Sequence, residues 1–206
     1  MNINMNPNSE LHQYVVNVPN VVQVPDVLVS QASEFKAAIM MYTCAIREVK
    51  TKLEVLNDEL SVRNQRNPIE MIKSRVKKPM SIVEKLRRRN LPVSLESMME
   101  HLDDVAGIRV ICSFVDDIYA IADMLVNQDD ITVIATKDYI KHPKPNGYRS
   151  YHLIIEIPVL FSHEKRNMRV EVQIRTIAMD FWASLDHQLK YKKELDGDSD
   201  EISEDL

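Results

Sequence analysis

Glycine and cysteine are scarce in this chain of 206 residues, which contains three glycines and two cysteines. No GxxxxGKS, GxxxxGKT or GxGxxG phosphate loop occurs, and neither does an HExxH zinc motif or a serine elbow. Cys44 and Cys112 stand in apolar surroundings without ligand spacing, so we expect two core thiols in a reducing compartment. These absences disfavour the known phosphate-loop and zinc mechanisms.

Long apolar runs are also missing. No stretch approaches the roughly 20 apolar residues that a membrane-spanning helix needs. The Asn-rich start, residues 1–8, lacks the charged and apolar regions of a signal peptide. We therefore expect a cytoplasmic protein with no membrane partner. A hydrophobic content of 45% is enough for a core, and the length fits one domain with appended helices.

Charge is unevenly distributed, although the net charge is only −5. Residues 73–90 contain eight Lys or Arg residues and one acid, whereas residues 194–206 contain seven acids and no base. Such an acidic end is typical of a tail without stable structure. The chain is expected to have three parts, which are an irregular N-terminal arm (1–29), a folded domain (30–193) and an acidic tail (194–206).

The hydrophobic periodicity predicts the order helix, helix, strand, helix, three strands, helix. The first predicted helix begins at Ser30 or Ser33 and continues to Leu60. The next two cover residues 81–89 and 116–127, and the last extends from Ile177 to Leu189. The predicted strands cover residues 108–112, 131–136, 151–157 and 168–174. This order indicates the α+β class, with a mixed β-sheet flanked by helices.

The predicted strand around residues 169–176 has two chemically different faces. Side chains alternate along a strand, so the apolar residues Val170, Val172 and Ile174 point into the core. The opposite face carries Arg169, Glu171, Gln173 and Arg175. A solvated sheet face is the alternative interpretation of this polar row.

Two further groups could act with this polar face. Asp103 and Asp104 precede the first predicted strand, where one of them could join Glu171 in holding Mg²⁺, which binds few carboxylates together with phosphate oxygens. An exposed turn is the alternative. The basic segment offers donors to a polyphosphate, although a solvated basic helix would look the same. These donors are Arg75, Lys77, Lys85 and Arg88.

An aromatic residue follows a turn signal in the loop over residues 142–152. Gly147 permits a tight turn directly before Tyr148, whose ring could stack on a nucleobase. An ordinary loop with a packed tyrosine is the alternative. Trp182 is assigned to the core beside Phe181.

These features together suit two nucleotides that meet over Mg²⁺. Two other functions share them. A single-stranded RNA-binding regulator would use the basic helix and Tyr148 without catalysis, so RNA stays open as a partner. Carboxylates such as Asp104 and Glu171 would weaken a groove of that kind. A nucleotidyltransferase that releases pyrophosphate is the second alternative.

Five ordered blocks resemble the synthetase domain of the RelA/SpoT homologues, and most closely the single-domain small alarmone synthetases. The resemblance covers roughly residues 68–193. The blocks are SRVKKPMSIVEKLRRR (74–89), DDVAGIRVIC (103–112), KDYIKHPKPNGYRSYH (137–152), VEVQIRT (170–176) and MDFWASLDHQLKYK (179–192).

This resemblance implies a nucleotidyltransferase-like sheet and a GTP pyrophosphokinase. The enzyme would transfer the β,γ-pyrophosphate of ATP to the 3′-hydroxyl of GTP or GDP, giving (p)ppGpp and AMP in the stringent response. The implied ATP site consists of Arg75, Lys77, Ser81, Lys85, Arg88 and Arg109, with Arg75 and Arg109 flanking the adenine. The implied guanine nucleotide site consists of Lys144, Asn146, Tyr148, His152, Gln173 and Arg175.

The resemblance also implies the catalytic residues and the assembly. Asp104 and Glu171 match the Mg²⁺ ligands, and Glu171 matches the acid that activates the 3′-hydroxyl. Asp186 departs from the pattern, since the family usually has glutamate there. The residues before position 68 are too few for the hydrolase domain of the long relatives, so we expect synthesis without hydrolysis. Terminal helices build a homotetramer in similar proteins, which implies a homo-oligomer.

Overall fold

The computed structural model describes residues 26–64 and 66–196. One unit of the chain ends at Lys36 and a second begins at Ala37, and the sheet and site below belong to the second. The helices are α1 (Asp26–Asn64), α2 (Pro79–Arg88), α3 (Leu95–His101), α4 (Val115–Val126) and α5 (Ile177–Asp196). The strands are β1 (Ile69–Val76), β2 (Ala106–Cys112), β3 (Thr132–Asp138), β4 (Tyr151–Leu160) and β5 (Lys165–Thr176).

The five strands form one mixed sheet in the order β1-β2-β5-β4-β3. Strands β2 and β5 pair in parallel, and the other neighbours pair antiparallel. On the central strand β5, Val170, Val172 and Ile174 are fully buried, as the alternation predicts. The predicted mixed sheet flanked by helices is confirmed. No helix in the described part of the chain is both long and apolar enough to cross a membrane.

Local sequence explains where the short helices begin. Helix α2 starts at Pro79, whose missing N–H costs nothing in a first turn, and it buries Ile82 and Leu86. Ahead of α3, the Ser94 hydroxyl accepts a hydrogen bond from the Ser97 backbone N–H at 3.1 Å. Both helices lie in the connection between the edge strand β1 and strand β2. The basic segment, residues 73–90, therefore lies near Asp104, which directly precedes β2.

Two elements were not predicted. Strand β1 lies at the sheet edge and is mostly exposed, so its sequence lacks the apolar alternation that marks a strand. Helix α3 has only seven residues, too few to establish a period of 3.6. The missed strand matters for function because β1 carries Lys73 and Arg75.

Several predicted boundaries were wrong. Helix α1 begins at Asp26, so residues 26–29 are helical, while residues 1–25 lie outside the described residues. Strand β5 begins at Lys165, inside the predicted loop 162–167. Helix α5 includes residues 194–196 of the predicted tail, whose remainder lies outside the described residues. Cys112 is buried as expected, but Cys44 is partly exposed.

Candidate active site

A row of polar residues crosses all five strands in register. Lys73 of β1 pairs with Arg109 of β2, which pairs with Gln173 of β5. Gln173 also pairs with His152 of β4, which pairs with Lys137 of β3. Paired residues on neighbouring strands lie on the same face of a sheet. The register therefore brings together residues that the sequence separates by up to a hundred positions.

A neighbouring row opens a cavity. Gly107 pairs with Arg75 on one side and with Glu171 on the other. Because Gly107 has no side chain, it leaves room between the two. The cavity there has a volume of about 190 Å³, and Asp104 and Arg109 also line it.

Asp104 forms ion pairs with two lysines of the basic segment. Its Oδ2 lies 2.9 Å from Lys77 Nζ and 2.6 Å from Lys85 Nζ. Burial would raise the pKa of Asp104, but hydrogen bonds and positive charges from Lys85 and Lys77 outweigh burial and hold that pKa below its ordinary value. Its neighbour Asp103 turns away and pairs with Arg169 at 3.0 Å. Of the two candidate acids, only Asp104 therefore reaches the cavity.

The second oxygen of Asp104 bears on metal binding. Oδ1 is buried and has no hydrogen-bond partner among the described residues. Glu171 lies close enough for the charge of Asp104 to act on its pKa. Within residues 26–64 and 66–196, no group of three or more His, Cys, Asp or Glu side chains could hold a metal ion alone. Two carboxylates with an open oxygen fit Mg²⁺, which commonly takes one or two carboxylates together with phosphate oxygens.

Five side chains form a closed polar ring, consisting of Tyr148, His152, Glu171, Gln173 and Arg175. Arg175 donates to the Tyr148 hydroxyl and, at 2.9 Å, to Gln173 Oε1. Gln173 Nε2 donates to Glu171 Oε2 at 2.9 Å. His152 closes the ring, with Nδ1 3.5 Å from Glu171 Oε1 and Nε2 2.9 Å from the Tyr148 hydroxyl. The ring links the predicted base-stacking residue to the predicted catalytic acid.

Two members of this ring, Glu171 and Arg175, are charged although they are largely buried. Burial would raise the pKa of Glu171, but the contact with His152 and the hydrogen bond from Gln173 bring that pKa below its ordinary value. The alternative interpretation of a solvated sheet face requires Arg175 to be exposed, but its side chain is only 4% exposed. Burial lowers the pKa of Arg175, but a guanidinium stays charged in proteins. A buried cation on the polar face of β5 disfavours a merely solvated face.

The loop between β3 and β4 presents Tyr148 beside cations. Lys144 Nζ lies 4.8 Å from the centroid of the Tyr148 ring and 4.6 Å from that of Tyr139. The Tyr148 backbone N–H donates to Asn146 Oδ1 at 3.3 Å. Lys144, Asn146 and Tyr148 therefore lie together in one loop, and their predicted contacts with a guanine nucleotide stay predictions.

Helix α5 supports this loop. Gly147 has a φ of +74°, and a side chain there would lie 3.4 Å from the Trp182 ring. Asn146 Nδ2 donates to Asp186 Oδ2 at 3.3 Å. Trp182 is half-buried rather than a core residue, and its neighbour Phe181 is 70% exposed. The assignment of Trp182 to the core was wrong because the sequence did not show that its ring packs on the loop.

Two predicted ATP residues lie apart from these contacts. Ser81 and Arg88 are on α2, and within the described residues neither side chain forms a hydrogen bond or an ion pair. Their predicted roles stay predictions.

Sequence reasoning missed an acid that contacts three cations of the sheet. Asp180 of α5 contacts Arg109, Arg175 and Lys73. Its only sequence signal is its place within the fifth block, just after the polar strand. A counter-charge for a row of cations could have been sought there.

Comparison with known proteins identifies the family of this chain. A family model described as a region found in RelA/SpoT proteins matches residues 74–196. The chain is 45% identical over 167 residues to the GTP pyrophosphokinase YwaC of Bacillus subtilis (strain 168), a match that covers 81% of this chain and 80% of the relative.

Solved structures give the same result. The crystal structure of small alarmone synthetase 1 from Bacillus subtilis bound to its product pppGpp has a TM-score of 0.71 at 38% identity, covering 79% of this chain and 82% of that chain. The same synthetase bound to AMPCPP has a TM-score of 0.66 at 34% identity, covering 79% of this chain and 80% of that chain. The chain therefore belongs to the RelA/SpoT family, and within it to the small alarmone synthetases.

Proposed function

We propose that this chain is a GTP pyrophosphokinase that transfers the β,γ-pyrophosphate of ATP to the 3′-hydroxyl of GTP or GDP, giving (p)ppGpp and AMP. One observation carries the proposal. Glu171 lines the cavity beside Arg75 and Arg109, and it also belongs to the ring that contains Tyr148. A single carboxylate thus lies where an adenine nucleotide and a guanine nucleotide would meet.

The ATP side consists of cations that already converge. Arg75 and Arg109 line the cavity, where their planar guanidinium groups can stack on adenine. Lys77 and Lys85 form ion pairs with Asp104, and their flexible side chains can turn to the phosphates of a bound nucleotide. AMPCPP, bound to a similar synthetase, is an adenine nucleotide of this kind.

The guanine side consists of the loop and the ring. Tyr148 offers a face for the base, and the exposed Lys144, now over that face, can turn to the phosphates. In the transfer, the acceptor oxygen attacks the β-phosphorus of ATP, the bond from this phosphorus to the α–β bridging oxygen breaks, and AMP leaves. Glu171, kept ionised by its neighbours, accepts the proton of the 3′-hydroxyl.

Asp104 and Glu171 are the residues that would hold Mg²⁺. When bound, Mg²⁺ would offset the negative charge of the transferring phosphates. The remaining contribution of the chain is positioning, since holding two reactants in line can be worth about 7 to 11 kcal/mol of the barrier.

We also propose a homo-oligomer that assembles through α5. Ile177, Phe181 and Leu185 recur every four residues on this helix, and all three are exposed. An apolar stripe of this spacing is typical of a helix that packs against another helix.

The reaction is tested by incubating the protein with GDP, Mg²⁺ and ATP labelled at the γ-phosphate. We expect the label to appear in a guanosine product together with an equal amount of AMP. Label released as pyrophosphate would indicate a nucleotidyltransferase instead. No turnover, combined with binding of single-stranded RNA, would support the non-catalytic regulator.

Tyr148→Ala should weaken the guanine nucleotide far more than ATP. A stacked base contributes about 1 to 3 kcal/mol, so we expect the dissociation constant of GDP to rise roughly 5- to 150-fold. Calorimetric titration with GDP and with AMPCPP measures both affinities. Tyr148→Phe is the matched control, because it keeps the ring and removes only the hydroxyl that contacts His152 and Arg175. Equal losses for both nucleotides in Tyr148→Ala would contradict a dedicated guanine platform.

A further inference from the structure

The carboxylate of Asp180 contacts cationic side chains from three strands. Asp180 lies in the first turn of α5, and its side chain is 14% exposed. Its Oδ1 accepts hydrogen bonds from Arg109 Nη1 at 3.0 Å and from Arg175 Nη1 at 3.2 Å. Its Oδ2 lies 3.7 Å from Lys73 Nζ. Strands β1, β2 and β5 therefore all present a cation to Asp180.

The two arginines belong to different parts of the site. Arg109 lines the cavity on the proposed ATP side. Arg175 belongs to the polar ring and holds the hydroxyl of Tyr148 on the proposed guanine side. Asp180 is the shared anchor of both arginines, so a shift of one guanidinium changes the geometry available to the other.

Asp180 offsets repulsion between the two arginines. The two guanidinium groups repel each other, and the positive charge of Arg109 acts against the charged form of Arg175. Arg175 is nearly buried, so water screens that repulsion little. The negative charge of Asp180 offsets it and keeps both arginines in place.

We propose that Asp180 is a positioning residue that couples the ATP and guanine nucleotide sites, an inference that rests on the proposed function. A nucleotide that fixes Arg109 also fixes Asp180 and thereby Arg175, so each nucleotide tightens the binding of the other. The coupling is reciprocal by thermodynamic necessity. Asp180 acts through the arginines and does not contact the reacting atoms.

Calorimetry with AMPCPP and GDP tests the proposal without turnover, because a methylene group replaces the bridging oxygen whose bond breaks in the reaction. Each nucleotide is titrated alone and with the other at saturation. In the wild-type protein we expect each to tighten the other by about 5-fold or more, within the usual range of coupling between sites. In Asp180→Asn, which keeps the shape and removes the charge, we expect this factor to fall to about one.

Controls separate positioning from folding. Asp116→Asn removes an exposed acid of α4 and should keep the wild-type coupling factor. Thermal denaturation shows whether Asp180→Asn is folded. If it is not, Asp180→Glu replaces it, because the charge remains but moves by one methylene. The coupling factor of Asp180→Glu should then lie below that of the wild type.

Two results would overturn the inference. One is a wild-type coupling factor near one, and the other is a wild-type factor in a folded Asp180 variant. Both leave the proposed function intact if the γ-label still enters a guanosine product. Absence of that product in the wild type would instead remove the proposed function, whatever the coupling.

Discussion

Glu171→Gln should lower kcat by about 10²- to 10⁴-fold, the usual cost of losing a general base. The substitution keeps size and packing but removes the charge that can accept the 3′-hydroxyl proton. Affinities for AMPCPP and GDP should change far less than kcat, because Arg75, Arg109 and Tyr148 remain. Single-turnover kinetics with both nucleotides bound measures the chemical step directly.

Glu156→Gln is the matched control for this variant. Glu156 is a partly exposed glutamate of the neighbouring strand β4 and lies near Arg169, so its loss should leave turnover unchanged. The lowered pKa of Glu171 also fixes the sign of the pH dependence. Glu171 stays ionised as the pH falls until below the ordinary glutamate range, and only there should its protonation reduce the rate. A normal single-turnover rate in Glu171→Gln would assign the carboxylate to the structure of the sheet alone.

Asp104→Asn should abolish Mg²⁺-dependent turnover. The substitution removes one of two carboxylates at the cavity and leaves Lys77 and Lys85 without their shared counter-charge. We expect Mg²⁺ to strengthen AMPCPP binding in the wild type and to have no such effect in the variant. Titration of AMPCPP with and without Mg²⁺ measures this difference independently of activity.

Asp103→Asn is the control, since this neighbouring acid pairs with Arg169 instead of the lysines. It should retain turnover and the effect of Mg²⁺. The side chains of Asp104, Lys77 and Lys85 are only 16–19% exposed, so removing the shared counter-charge also lowers stability, and thermal denaturation must show that Asp104→Asn is folded at the assay temperature. Wild-type turnover at ordinary Mg²⁺ concentrations in Asp104→Asn would withdraw the metal assignment.

The parts of the site that follow local rules could be predicted from the sequence. Alternation on β5 separated Glu171 and Gln173 from the buried Val172. Gly147 before Tyr148 indicated a tight turn, and Gly147 has the positive φ that such a turn requires. The resemblance in five blocks identified the family, which the comparisons confirm.

The remaining features depend on register between distant strands. That Lys77 and Lys85 would share one oxygen of Asp104 follows from the path of β1 and α2, which no periodicity revealed. The polar ring joins a loop, strand β4 and strand β5. It closes because the strand register that pairs His152 with Gln173 brings His152 into contact with Glu171 and Tyr148. Asp180 was missed because an isolated acid in a first helical turn is usually explained by the helix dipole.

The parallel pairing of β2 with β5 determines when the site can form during folding. Gly107 and Glu171 lie side by side in the sheet but 64 positions apart in sequence, whereas β4 and β5 are joined by a short turn. Contacts between distant positions form later than local ones, because the intervening chain must first close into a loop. On the ribosome, the cavity can therefore form only after β5 has been synthesised and has left the exit tunnel. A nascent chain that has released only β1 to β3 carries all five predicted ATP-side cations but lacks β5, which completes the cavity with Glu171 and Gln173.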